Sequence, residues 1–236
     1  MPKPNQPPPS LEIIKQVRRD HGPKTLVGFS GGKDSICATL AIKPHFDEMI
    51  PFFLYLVPDL EFVDEHLHQC EKDLFGGAHI TRMPHPGFYG WLRSGIFQPP
   101  HRWPLIQAAQ LPEFEYKDIH AILRQKFDAD GAYNATGVMA AGSPMRRMSI
   151  TQHGAILKSK KEYFPVWDYK QADILGALNK AKISLPIDYR IFGRSFDGLD
   201  ARFILPIKRH FPRDYAQILE WFPLIEAEVF RAERMQ

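Results

Sequence analysis

The stretch Thr25-Leu26-Val27-Gly28-Phe29-Ser30-Gly31-Gly32-Lys33-Asp34-Ser35 constrains this chain more than any other. Leu26 and Val27 are apolar and β-prone. Ser30, Gly31 and Gly32 permit a tight turn with exposed backbone N–H groups, and Ile36 to Ile42 continues as an apolar helix up to Pro44. A strand that feeds a glycine turn at a helix N-terminus makes an anion site, because the first N–H groups of the helix lack intrahelical partners and its dipole favours negative charge. The spacing is not that of a Walker A loop, which needs glycine, four residues, then Gly-Lys-Ser/Thr; Val27 stands at the first glycine position and Asp34 follows Lys33. An ordinary glycine-rich turn between strand and helix is the alternative.

The rest of the chain predicts more strands alternating with helices. Leu11, Ile13, Ile14 and Val17 have helical spacing, with Ser10 as a cap. Met49 to Val57 is a near-continuous apolar run, as in a strand buried on both faces of a parallel sheet, and Asp59 follows its C-terminal end. Val63 to Leu74 predicts a helix ended by Gly76-Gly77, Ala78 to Met83 a third strand, Asp118 to Phe127 a helix and Gly131 to Gly137 a further strand. Pro84 to Pro104 reads as irregular; its aromatics Phe88, Tyr89, Trp91, Phe97 and Trp103 either form a functional lid or fill a side pocket. Asp200 to Gln236 predicts packed helices.

Composition sets the class. With 236 residues, 44% hydrophobic and 24% charged, the chain suits one large soluble domain. The proline-rich residues 1–10 read as a disordered tail and residues 11–236 as a single domain with a helical C-terminal part. No run reaches transmembrane length and no apolar signal core opens the chain, so the expectation is a cytoplasmic protein without a membrane partner. Cys37 and Cys70 form no Cys-x-x-Cys pair, which fits a reducing compartment and predicts neither zinc nor an iron–sulfur cluster built from this chain. A net charge of +3 permits a polyanionic partner without requiring one.

The order Ser30-Gly31-Gly32-Lys33-Asp34-Ser35 resembles the pyrophosphate loop of the PP-loop ATP pyrophosphatases. That superfamily includes the phosphoadenosine phosphosulfate reductases, the ATP-sulfurylase small subunit, tRNA thiolation enzymes and the sulfur-activating proteins of DNA phosphorothioation. Thr136-Gly137, Ser143 and Arg146 or Arg147 resemble a second segment of the reductase family, and Pro165-Val166-Trp167 with Gly193-Arg194-Ser195-Phe196 a third. The resemblance implies a Rossmann-like adenine nucleotide alpha-hydrolase fold, with a parallel sheet of about five strands, helices on both faces and the nucleotide at the C-terminal strand ends.

It also implies ATP as substrate, Mg²⁺ as its counter-ion and cleavage between the α- and β-phosphates. Gly28 and Phe29 lead into the cradle Ser30–Ser35. Lys33 neutralises the leaving pyrophosphate, Ser30 and Ser35 donate hydrogen bonds to it, and Asp34 orients the loop or holds Mg²⁺. Arg146 or Arg147, with Lys158 or Lys160, would stabilise charge at the α-phosphate. Asp59, Gly137 and Ser143 complete the expected nucleotide contacts, with adenine near Phe53 to Asp59. The alternative for the cations is a solvated face.

The chain departs from the reductases where their C-terminal cysteine nucleophile would stand. Asp197-Gly198-Leu199-Asp200 follows Phe196 instead. The reading is therefore an ATP pyrophosphatase that activates an acceptor for sulfur incorporation, the acceptor being nucleic acid (DNA before tRNA, as in DNA phosphorothioation). A sulfur-donor protein such as a cysteine desulfurase and a homodimer are the expected protein partners. A sulfonucleotide enzyme using an external thiol, and a non-catalytic nucleotide-binding regulatory subunit, stay open as alternatives.

Overall fold

Strand β1 (Lys24–Gly28) is buried at its three central residues, as the apolar pair Leu26-Val27 predicts. It has a neighbour on each edge. On one side β2 (Glu48–Tyr55) pairs parallel to it, with Gly28 opposite Phe52; on the other β4 (Asn134–Thr136) does the same, with Gly28 opposite Thr136. Phe29 N–H donates to the Phe52 carbonyl at 2.9 Å, so Phe52 faces β1 and Pro51 directs its missing N–H away from it.

β3 (Thr81–Pro84), β5 (Ile156–Leu157) and β6 (Glu162–Tyr163) complete a sheet of order β3-β2-β1-β4-β6-β5. The fold is α/β and Rossmann-like, with helices around a mostly parallel sheet. The described residues give six strands where about five were expected, and one detail differs from a fully parallel sheet: β5 runs antiparallel to β6, while β4 and β6 are parallel. β5 and β6 have two residues each, too few for any periodicity to announce them. The chain leaves β1 toward β2 and later returns on the other side as β4. The strand order thus reverses at β1, and in open α/β sheets ligands bind at the carboxyl ends of the strands at such a point.

The structure is a computed structural model that describes residues 7–234. These residues form two compact units. The first contains residues up to Phe53, Gln69–Thr81 and Lys117–Leu185. In it α1 (Ser10–His21) buries Ile13, Ile14 and Val17, the expected apolar face. Ser10 is the first residue of α1 rather than its cap; its N–H and hydroxyl both donate to the Asp168 carboxylate. Trp167 Nε1–H donates to the Pro8 carbonyl at 2.9 Å, which pins residues 8–10. The part of the expected tail in residues 1–6 lies outside the described residues.

α2 (Lys33–Ile42) packs against α8 (Gln171–Ala181) and β4. α6 (Tyr116–Lys126) supplies the buried His120, whose Nε2 meets the Asn134 side-chain amide at 3.3 Å. Desolvation, then the charge of Arg124, pushes the His120 imidazole down to about 4 from 6.5. The unfolded chain therefore takes up this proton first as the pH falls. Stability is expected to be full above pH 6.5 and to be lost on the way down toward pH 4, by on the order of 3 kcal/mol. Glu162, 3.8 Å away with its carboxyl raised by burial, acts in the opposite sense and softens the slope. Thermal melts should show a lower Tm at pH 5 than at pH 7, and His120→Gln should flatten the difference; an unchanged difference in that variant would contradict the assignment.

The second unit comprises Leu54–His68, Arg82–Tyr116 and Pro186–Gln236. Its core gathers Val57, Leu60, Phe62, Phe88, Phe203 and Phe222. Around them lie α4 (Pro86–Leu92), α5 (Trp103–Ala108), α9 (Ile187–Phe192), α10 (Ala201–His210), α11 (Pro212–Trp221) and α12 (Ile225–Arg234). The expected irregular stretch Pro84–Pro104 is thus partly helical, because Pro86 occupies the first turn of α4, where its missing N–H costs nothing, and His85 Nδ1 accepts from Gly87 N–H as a cap. Phe88 is in the core, with Tyr89, Trp91 and Phe97 packed against it, so the side-pocket reading holds for these four; Trp103 is 42% exposed. α3 (Glu61–Asp73) starts in this unit, where the buried Asp214 carboxylate accepts Glu61 N–H at 2.5 Å and Phe62 N–H at 3.4 Å. Burial raises the Asp214 pKa, and these two N–H bonds oppose the rise.

Candidate functional site

The turn between β1 and α2 has the form that its glycines require. Phe29 is buried and packs edge-on against Phe75, with ring centroids 5.1 Å apart, which fixes the exit from β1. Ser30 is exposed. Gly31 has φ +72°, the left-handed region that glycine enters without a Cβ penalty. Gly32 caps α2 in an extended conformation and Lys33 is the first helical residue.

Side chains brace the turn from inside. Gly32 N–H approaches Ser30 Oγ at 3.4 Å, Ser30 Oγ donates to Ser35 Oγ at 3.1 Å, and Ser35 Oγ donates to the Gly32 carbonyl at 2.9 Å. Lys33 Nζ lies 2.5 Å from Asp34 Oδ1, with the two side chains 28% and 30% exposed. The turn therefore presents a helix N-terminus, an exposed hydroxyl and an ammonium held by a neighbouring carboxylate. That set suits a phosphate chain, with the ammonium available to it once the carboxylate is otherwise engaged.

Gly137, just past β4, passes against this turn. A Cβ built on it would stand 2.6 Å from the Asp34 carbonyl carbon, 2.7 Å from its oxygen and 2.8 Å from Ser35 N. Here glycine is required by a close approach of two backbones, a reason that the sequence alone did not supply. Gly28 is less constrained, since a Cβ there would meet its neighbours at 3.5 Å, ordinary contact.

From Gly137 the chain makes a 3₁₀ turn (Ala140–Gly142) and enters α7 (Pro144–His153). Ser143 is the N-cap of α7, its Oγ accepting Arg146 N–H at 3.1 Å. Arg146 and Arg147 are both exposed and point differently: the Arg146 guanidinium folds back over Gly142, whereas Arg147 lines an outer groove of α7. Lys158 and Lys160 are exposed in the 3₁₀ turn Lys158–Lys160, and burial raises the Glu162 carboxyl pKa while the Lys160 charge opposes part of that rise. Ala140 N–H donates to the Trp167 carbonyl at 2.8 Å, which ties the Pro-x-Trp element to the segment after β4.

The first unit thus contains Gly28–Ser35, Gly137, Ser143, Arg146, Arg147, Lys158 and Lys160. Asp59 belongs to the second unit, with φ +59° in the turn after β2. Thr136, the last residue of β4, was not among the expected site residues; its Oγ1 is buried with no hydrogen-bond partner, as is Asn134 Oδ1.

Both thiols are buried, and neither is in a disulfide. Desolvation, then Asp34, pushes Cys37 up to about 11; desolvation, then Asp73, pushes Cys70 up to about 12. Neither is a thiolate near neutral pH. Among the described residues no group of three or more His, Cys, Asp and Glu side chains is placed to hold a metal ion. No helix among them is long and apolar enough to cross a membrane.

No family model matches this chain, and no curated protein does. Solved structures do. One is the U34-tRNA thiolase NcsA from Methanococcus maripaludis with its [4Fe-4S] cluster, 15% identical, with a TM-score of 0.47 over 91% of this chain and 78% of that one. A likeness at that level says nothing about activity or acceptor. It does correct one expectation. A protein with this degree of likeness carries an iron–sulfur cluster, so the exclusion of a cluster drawn from cysteine spacing is withdrawn. Two cysteines in one sequence limit only a cluster ligated wholly by that chain.

Proposed function

We propose that this chain is an enzyme that binds ATP with its phosphates on Ser30–Ser35 and transfers the adenylyl group to an acceptor, releasing pyrophosphate. The observation that carries this reading is the turn itself: a braced glycine loop at a helix N-terminus, at the point where the strand order reverses, with Lys33 in the first helical turn. In the reaction an acceptor oxygen attacks the α-phosphorus, the bond from it to the αβ-bridging oxygen breaks, and pyrophosphate leaves with the electron pair. The loop N–H groups and Lys33 take up the charge that develops on pyrophosphate. Arg146, on the face of α7 that folds back over Gly142, is the cation proposed for the α-phosphate, with Lys158 and Lys160 supplying further positive charge.

Asp34 fits the magnesium that accompanies ATP. It is a partly exposed hard oxygen ligand in the first turn of α2, and Mg²⁺ commonly binds one or two carboxylates together with substrate phosphates. The ion supplies charge neutralisation on the phosphates. Lys33 and Asp34, which neutralise each other in this structure, would then turn to phosphate and metal respectively. The acceptor proposed is an oxygen of a nucleic acid that sulfur later replaces, with the sulfur carried by a separate protein. The two buried thiols support this division, because neither serves as a nucleophile at neutral pH.

The test measures pyrophosphate release from ATP, with and without single- and double-stranded DNA and tRNA, for wild type and for C37S/C70S. Wild type is expected to release pyrophosphate, faster with the right acceptor. The double variant is expected to stay within about twofold, losing only some packing at two buried positions. Loss of activity in the double variant, with its fold intact, would place a thiol in the mechanism. ATP binding without turnover under every condition would favour the regulatory alternative.

A further inference from the structure

α7 is ten residues long and buries one of them, Ile150. A helix that short is marginal in water unless packing supports it. Its ends are well made, with Ser143 capping the N-terminus, Pro144 in the first turn and Gly154 at φ +82° after the last residue. Its outer side, however, is uncovered. Pro144, Arg147, Met148, Thr151 and Gln152 have the spacing of a single helix face and line an open groove of about 480 Å³. Met148 is 58% exposed and Met145 69%.

Charge is concentrated in the same segment. Residues 137–161 contain Arg146, Arg147, Lys158, Lys160 and Lys161 and no Asp or Glu, whereas the whole chain carries only +3. The five cations of this segment exceed the net charge of the whole chain, so the remainder is net negative and the segment is a strongly cationic stretch. Among the described residues no acidic side chain forms an ion pair with Arg147.

We infer that the outer face of α7 docks a protein partner through an acidic segment with apolar anchors. Exposed methionine and arginine side by side match the residue types enriched in protein–protein interfaces. A phosphodiester backbone would satisfy Arg147 but would leave Met145 and Met148 in water. A second copy of this chain docked face to face would oppose two cationic helices. The inference does not depend on ATP chemistry.

The experiment uses the full chain and fluorescence anisotropy at low and physiological salt. The probes are a labelled helical peptide of glutamate with leucine at every third or fourth position, the same peptide with serine for leucine, and single-stranded DNA. Wild type should bind the Glu/Leu peptide at least about tenfold more tightly than either other probe. M145S/M148S should reduce the Glu/Leu peptide to the level of the Glu/Ser one, with unchanged melting and unchanged ATP turnover. R147E should weaken both peptides by about tenfold or more. Equal binding of the two peptides, tighter binding of DNA, self-association lost in the variants, no binding of any probe, or variants that bind like wild type would each overturn the inference.

Discussion

Replacing Gly137 by alanine is expected to destabilise the protein by about 1–3 kcal/mol and to lower ATP turnover at the same time. The added Cβ would lie within 2.8 Å of three backbone atoms of Asp34 and Ser35. None of these can swing aside as a side-chain end could, so either the exit of β4 or the first turn of α2 must move. That turn carries Lys33 and Asp34, and its shift would misplace both. Gly28→Ala is the control: its new contacts at 3.5 Å are ordinary, and stability should change by under about 1 kcal/mol. Gly142→Ala is a second control for stability alone, because its near contact at 2.9 Å is the mobile end of Arg146, the cation proposed for the α-phosphate, so its turnover is expected to fall while its stability holds. Chemical denaturation and turnover of the three variants check the ranking. If Gly137→Ala is as stable and active as Gly28→Ala, the two backbones do not approach as described.

Lys33→Ala should reduce turnover more than tenfold, because a charge-assisted contact to the departing phosphates is lost. A second effect adds to it. With the ammonium gone and no Mg²⁺ to engage it, the Asp34 carboxylate, now 2.5 Å from Lys33 Nζ, would stand uncompensated beside the phosphates and repel them. In Mg²⁺-free binding, Lys33→Ala/Asp34→Asn is therefore expected to recover part of the ATP affinity that Lys33→Ala loses, whereas with Mg²⁺ it recovers neither affinity nor turnover. Steady-state kinetics and equilibrium ATP binding on both variants separate the two effects. Unchanged turnover in Lys33→Ala would remove the loop from the chemistry.

The centre of the fold was legible because its signals are local. Leu26-Val27, the glycine turn and the apolar helix that follows occupy consecutive residues, and each obeys a short-range rule. The apolar run of β2 and the glycines closing α3 were equally plain. What failed to show was whatever depends on partners distant in sequence. β5 and β6 exist because they pair with each other and β6 with β4, not because two residues prefer a strand. α4 and α5 hide in proline-rich sequence, since proline in a first turn is compatible with a helix and is easily read as a break.

The same division runs through the site. The loop residues could be named from their order, and the reason for Gly137 could not, because it lies in a close approach between residues about a hundred positions apart. Arg146 and Arg147 are indistinguishable neighbours in the sequence. The helix phase of α7 gives one to the Gly142 turn and the other to the outer groove. Ser143, named for the nucleotide, also caps α7, a role its place in the sequence did not announce.

The most direct measurement follows the phosphorus atoms of ATP. ATP labelled on the α-phosphate in one sample and on the γ-phosphate in another would be incubated with the purified protein, Mg²⁺ and candidate acceptors. The account predicts that the α-label appears in AMP or in an adenylylated acceptor, that the γ-label appears in pyrophosphate, and that both signals fall together in Lys33→Ala. A γ-label released as inorganic phosphate, with the α-label in ADP, would show cleavage at the other anhydride and contradict the account.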